Sequence, residues 1–196
     1  MPDEPQGGGE DGPEPIELTM PTMALGARFL EMADELRRNR EPVAQGVLEG
    51  ALEEHLRTLY EQHLGVGLGA GMVPSTSYWL VRGGREILGE LNLRHHLNAS
   101  LEREGGHIGY RIRPSERGKG LGVLQLRLGL RQARRRGMEQ AILTCNEENV
   151  PSARTIERCG GVRIGSSVSS RTGKRVRIYR VPCPEGMEDQ PQGDTD

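Results

Sequence analysis

Apolar positions along this chain switch between a period of three to four and a period of two. From Met23, residues Leu25, Phe29, Met32, Ala33 and Leu36 recur at helical spacing and stop at the charged run Arg37, Arg38, Asn39, Arg40, which predicts a helix. A second helical pattern runs through Leu48, Leu52, Leu56, Leu59 and Leu64 and ends at Gly65. The stretch GVGLGAGMVPS, residues 65–75, is too rich in glycine for either element and predicts a loop. The period then changes to two: SYWLV (77–81) and EILGELNL (86–93) flank Gly83-Gly84 and predict a β-hairpin. HIGYRIR (107–113) is the next strand, closed by Pro114.

Residues 121–136 return to helical spacing, with Val123, Leu126, Leu130 and Ala133 on one stripe, Leu124 and Leu128 widening it, and Gly137 placed to end it. QAILTC (140–145) predicts a buried strand, Ser152 to Cys159 a short helix, and Val162 to Ile164 and Val176 to Val181 two late strands. With a short strand at IELTM (16–20), the predicted order is β-α-α-β-β-β-α-β-α-β-β, an α/β (α+β) sheet covered by helices.

Composition changes this picture at the two ends. Residues 1–15 and 183–196 are acidic, rich in Gly and Pro and poor in apolar side chains, and are expected to be disordered segments around a single domain at 16–182. Removing 1–18 and 183–196 leaves all 26 basic residues against 17 of the 28 acidic ones, so the body is basic although the chain is formally −2. That surplus suggests an anionic partner or Arg-rich solvated helix faces. Nucleic acid is a poor fit, because aromatic residues make up only 3% and no nucleic-acid motif is present. Cys145, Cys159 and Cys183 are odd in number and form no C-x-x-C pair, and no apolar leader or membrane span is visible, so the expectation is a cytoplasmic protein with no membrane partner. The five histidines match no metal-ligand spacing, and no metal is expected.

The most informative stretch is SERGKGLG, residues 115–122, between a strand and a helix. A glycine-rich turn there exposes backbone N–H groups with no helical partner at the positive end of the helix dipole, which makes an anion site. A P-loop would need a hydroxyl residue after Lys119, and a dinucleotide fingerprint would need G-x-G-x-x-G, where Gly118, Gly120 and Gly122 give G-x-G-x-G. What the residues spell is R-x-x-G-x-G, as Arg117, Gly120 and Gly122.

That signature resembles the pyrophosphate-binding motif of the GNAT superfamily of acetyl-CoA-dependent N-acetyltransferases. Asn149, Val150, Pro151, Ser152 and then Cys159, Gly160, Gly161 are similar to the family's N-x-x-[AS] helix start and terminal glycine. The segments YWLVRGGREILGELNLRHHLN, GGHIGYRIRPSERGKG and LTCNEENVPSARTIERCGG resemble a subgroup of predicted acetyltransferases with poorly defined substrates. The resemblance implies the GNAT fold: a mixed, mostly antiparallel twisted sheet of about six or seven strands flanked by about four helices.

It also implies a mechanism. Acetyl-CoA would lie with its pantetheine arm along His107 to Arg113, against backbone groups of Ile112 and Arg113. Its pyrophosphate would sit on amides from Arg117 through Gly118, Lys119, Gly120, Leu121 and Gly122, with Asn149 and Ser152 touching the arm. Transfer to a primary amine of a small molecule or peptide needs a base, and the family's position on this strand falls on His107, with Glu90 as the second candidate. The family's usual acid, a tyrosine seven residues after the motif asparagine, is here Ile156, which leaves water, Ser152 or Tyr110 as proton sources, or a catalytically degenerate acyl-CoA-binding module. Cys145 lacks a His-Asp partnership that would make it a nucleophile. Arg94, His95 and His96 form a polar cluster that either lines the acceptor pocket or is an exposed loop. The acceptor and the oligomeric state, including a homodimer, stay open.

Overall fold

The structure, a computed structural model, describes residues 12–185; the expected acidic segments at 1–11 and 186–196 lie outside the described residues. Seven strands and five helices follow in the order β1 (Ile16–Thr19), α1 (Gly26–Arg38), α2 (Leu52–Leu64), β2 (Ser75–Arg82), β3 (Glu86–Arg94), α3 (Ala99–Arg103), β4 (Ile108–Ile112), α4 (Leu121–Arg135), β5 (Gln140–Asn146), α5 (Val150–Arg158), β6 (Val162–Val168) and β7 (Arg175–Pro182). The order is the expected one with α3 added.

The expected seven, mostly antiparallel strands are present, arranged as two antiparallel sheets, β1-β2-β3-β4 and β5-β7-β6. They meet where Gly106 bridges Leu143 and the His107 N–H donates to the Ile142 carbonyl at 2.6 Å. Beyond that junction β4 is recorded pairing with β3 and β5 with β7, so the facing edges of β4 and β5 diverge.

Packing explains why each helix sits where it does. The α4 stripe of Leu126, Leu130 and Ala133 is buried against Leu91, Leu93 and Ile108 of the first sheet and Leu143 and Val181 of the second, so one helix spans the divergence. On the other face of the first sheet, Phe29, Met32 and Leu36 of α1 and Leu52 of α2 close over Trp79, Val81 and Ile87. Each such side chain contributes about 1.5–3 kcal/mol by leaving water. Gln125 breaks the apolar run of α4: it is fully buried, and neither amide atom has a partner among the described residues. The packed body extends one residue past 182, because Cys183 is buried and its N–H bonds the Glu139 carbonyl. No helix among the described residues is long and apolar enough to cross a membrane.

Candidate active site

The divergence of β4 from β5 leaves backbone groups without a strand partner. The Arg113 N–H donates to the Leu88 carbonyl and the Arg94 N–H to the His107 carbonyl, both at 2.8 Å, so Gly109 and Arg111 between them direct their backbone toward β3, while the His107 N–H turns to Ile142. Ile108, Tyr110 and Ile112 then direct theirs toward the gap. Of the two residues expected to serve the cofactor arm at the strand end, Ile112 faces the gap, whereas the Arg113 N–H goes to Leu88 and its carbonyl accepts the Glu116 N–H at 2.9 Å. The Ile112 carbonyl already accepts from Arg117 Nε at 3.1 Å, which leaves the Ile112 N–H and both groups of Tyr110 for a partner in the gap.

The loop after β4 is held from outside. Glu35 of α1 binds Arg113 Nε at 2.6 Å and the Ser115 N–H at 2.5 Å. Burial alone would raise its pKa, but these donors more than offset that and hold Glu35 ionised. Gly118 and Gly120 adopt left-handed backbone, with φ of 79° and 78°, and so wrap the chain into the start of α4. The N–H groups from Gly118 to Gly122 have no hydrogen-bond acceptor among the described residues, and the α4 dipole points its positive end at the same place. The loop's cations do not stand free: Arg117 pairs with Glu41 at 2.8 Å, and Lys119 with Glu116 at 2.7 Å. Attraction for an anion therefore rests mainly on the amides.

Across the gap, Asn149 caps α5 by accepting the Ser152 N–H at 3.1 Å. The Tyr110 hydroxyl reaches Ser152 Oγ at 3.2 Å, so a β4 side chain spans to the α5 start and brings Tyr110, Asn149 and Ser152 together. Burial pushes the Tyr110 pKa up to about 12, with the Ser152 contact opposing, and the phenol is protonated at neutral pH. Ile156 is fully buried in the core on the same helix. Cys145 is buried nearby, and burial raises its thiol pKa, which suits a packed side chain better than a nucleophile.

The opposite face of the first sheet carries a cavity of about 270 Å³ under α2. Its walls include His55 and Leu59 of α2, Trp79 of β2, Glu90 and Asn92 of β3, and Gly109 and Arg111 of β4. Glu90 lies opposite Arg111 in the strand register and binds Arg111 Nε at 2.5 Å. Gly109 contributes no side chain, and a Cβ there would meet nothing within 4 Å, so the cavity runs unobstructed to the β4 backbone.

The two expected bases therefore part company. Glu90 is in the cavity, but His107 is not among its walls; it sits at the sheet junction, where its Nδ1 accepts the Ile142 N–H at 2.9 Å. Burial lowers the His107 pKa and Arg94 adds to the effect, so the ring is neutral and its one lone pair is engaged. His95 likewise lies away from the cavity: its Nε2 is 2.9 Å from Thr76 Oγ1, which also contacts His63 Nδ1 at 2.8 Å and accepts from Arg136 at 2.8 Å. Among the described residues, no group of three or more His, Cys, Asp or Glu is arranged to hold a metal.

His55 was not singled out by the sequence reading. Its position three residues after Leu52 and four before Leu59 places it on the inward stripe of α2, which was the available signal.

Comparison with known proteins agrees with this geometry. The sequence matches the family described as acetyltransferase (GNAT) domain over residues 33–162. No curated protein sequence gives a significant match. Among solved structures, a Salmonella typhimurium acetyltransferase that modifies the N-terminal serine of 50S ribosomal subunit protein L7/L12 shares 15% identity at a TM-score of 0.63, covering 85% of this chain and 94% of that one. Mycobacterium smegmatis RimJ, in complex with CoA-disulfide, shares 15% identity at a TM-score of 0.65, covering 87% and 86%. The microcin C7 self-immunity acetyltransferase MccE, in complex with acetyl-CoA and AMP, shares 14% identity at 0.60, covering 85% and 92%. At these identities the likeness is one of fold.

Proposed function

Because this chain belongs to the acetyltransferase (GNAT) family, we propose that it is an N-acetyltransferase moving an acetyl group from acetyl-CoA to a primary amine of a small molecule or peptide. The observation that carries the reading is the run of unengaged amides from Gly118 to Gly122 at the end of a strand whose own outer edge, at Tyr110 and Ile112, is unpaired. Amides spaced along a left-handed turn suit a pyrophosphate, and a bare strand edge suits an amide-bearing pantetheine arm, which can bond to it as an added strand does. Both features meet in one molecule and fit coenzyme A. When bound, acetyl-CoA supplies the activated acyl group.

In this reading Arg117 closes the end of the Ile112 edge, Leu121 and Gly122 present the first α4 amides, and Lys119 and Arg113 act by shaping the loop through Glu116 and Glu35. Asn149 holds the α5 start, and Ser152 with Tyr110 presents hydroxyls to the gap. A phenol whose pKa burial pushes up to about 12 is a poor donor of its proton to a departing thiolate. Tyr110 therefore steadies the leaving sulfur by a hydrogen bond, and solvent supplies its proton. The cavity under α2 takes the amine.

Ile156 carries a second reading, an acyl-CoA-binding module without turnover, because no hydroxyl stands at that helix position. Free thiol released from acetyl-CoA in the presence of an amine panel decides between them: release supports transfer, and binding without release supports the module.

A further inference from the structure

The acceptor cavity contains one side chain with the chemistry of a general base that neither the family motif nor the β4 strand supplies. Resting on the acetyltransferase reading above, we infer that His55 of α2 is the catalytic base, accepting the proton of the incoming ammonium group, and that Glu90 is its positioning partner.

The histidines differ in whether a ring nitrogen is free to take a proton. His107 has given its Nδ1 to the Ile142 N–H, and in a neutral ring the other nitrogen is a donor. His63 and His95 are tied to Thr76 at the far end of the hairpin. His55 alone among these lines the cavity. Its imidazole stacks on Phe29, with ring centroids 5.8 Å apart and planes 8° from parallel, and Phe29 in turn stacks on Trp79 at 4.8 Å. This stack backs one face of the ring, and the residue itself lines the cavity.

Charge around the ring is mixed. Glu90 of β3 and Arg111 of β4 are the charged walls, and Tyr78 of β2 and Tyr110 of β4 are the remaining titratable ones. Burial lowers the His55 pKa most, Glu90 opposes that, and Arg111 reinforces it. The ring is therefore neutral and able to accept a proton near pH 7, while the Glu90 carboxylate steadies the imidazolium that results. Glu90 itself is a weaker choice of base, because Arg111 binds its Oε2 and holds the carboxylate in an ion pair.

The step balances without a further reactant. The ammonium nitrogen gives one proton to His55, which passes it to solvent, and the freed lone pair forms the C–N bond as the C–S bond breaks. The second nitrogen proton is lost to solvent, and the thiolate takes one back, so the products are the amide, the thiol and one proton.

The test uses the full chain and two readouts. Histidine side-chain NMR titration of the free protein, with the His55 signal assigned by its loss in His55→Gln, should place its pKa below the ordinary value of about 6.5 and lower still in Glu90→Gln. In a second arm, kcat/KM for an amine taken from a panel of primary amines and free N-terminal peptides is followed against pH. His55→Gln should lower it by about 10²–10⁴-fold and abolish the acidic limb, while the calorimetric Kd for acetyl-CoA stays within about threefold. A His55 signal indifferent to Glu90→Gln, or a His55→Gln enzyme with an intact acidic limb, overturns the inference and leaves the acetyltransferase reading standing. Failure of the wild-type protein to bind acetyl-CoA overturns both.

Discussion

Ile142 donates its backbone N–H to Nδ1 of His107 at 2.9 Å, and the His107 N–H returns to the Ile142 carbonyl at 2.6 Å. This reciprocal pair joins the two sheets at the point from which β4 and β5 diverge, so the histidine that the family resemblance implies as a base sits as a clasp at the head of the gap. Replacing His107 with Ala should cost about 1–3 kcal/mol of stability by leaving a backbone donor unpaired. Chemical denaturation measures that cost, and the acidic limb of the pH-rate profile should persist in the variant. A vanished limb with unchanged stability would return the base to His107.

Tyr110 and Ser152 close the gap from opposite sides. Tyr110→Phe removes the hydroxyl and keeps the ring, so acetyl-CoA affinity should change little while kcat falls by about tenfold, the worth of one hydrogen bond of about 1.4 kcal/mol to the departing sulfur. Steady-state kinetics beside calorimetry separates the two quantities. An unchanged kcat would leave the thiolate to solvent alone.

Gly109 is where the acceptor cavity reaches the β4 backbone. A Cβ there meets nothing within 4 Å, so Gly109→Val should fold, with a melting temperature near that of the wild type. The added methyl groups enter the cavity, and the amine KM should rise by about tenfold or more, with acetyl-CoA binding retained. An unchanged amine KM would place the acceptor elsewhere.

Stability should fall on mild acidification. Burial and the nearby Arg136 push His95 down to about 4, and burial also lowers His107 and His55. In the unfolded chain these rings titrate near 6.5, so the unfolded state binds more protons below that pH and stability drops as pH falls from about 6.5 toward 4. Above about 6.5 these groups contribute no slope. Thr76→Val, which strips Arg136, His63 and His95 of their shared oxygen, should lower stability at pH 7.5 by about 1–3 kcal/mol. Denaturation midpoints across this range check both statements.

Gly120 precedes α4 at a φ of 78° and ψ of −7°. Gly120→Ala meets no neighbour, so its effect is the strain of a left-handed alanine, about 1–2 kcal/mol, and displacement of the amides beside it. Acetyl-CoA affinity should weaken by about tenfold or more with only a few degrees lost in Tm; equal affinity would remove the loop from the binding site.

Much of this architecture is legible in the sequence, for reasons that particular elements make plain. The α4 stripe of Leu126, Leu130 and Ala133 and the period-two hairpin of β2 and β3 are long enough for their burial pattern to stand out. Helix α3 is five residues long and announces itself only by Asn98, whose side chain caps the N–H groups of Ser100 and Leu101. The split into two sheets depends on which strands pair across the chain, which no local pattern encodes. β6 is longer than its apolar letters suggest because nearly all its residues are exposed, so the core imposes no alternation on it. The loop glycines stand out in the sequence as a candidate anion site. The place of His55 in the cavity wall and the bare floor at Gly109 do not, because both follow from α2 closing over one face of β2, β3 and β4.

Whether this chain binds and uses acetyl-CoA is decided by thermal unfolding of the wild-type protein with the cofactor at about a hundred times its Kd. Binding to the folded state alone adds about 2.7 kcal/mol there, which for a chain of this size raises Tm by about 5–10 °C. That rise, with thiol release once an accepted amine is added, is the predicted result. An unchanged Tm at saturating acetyl-CoA would contradict the account.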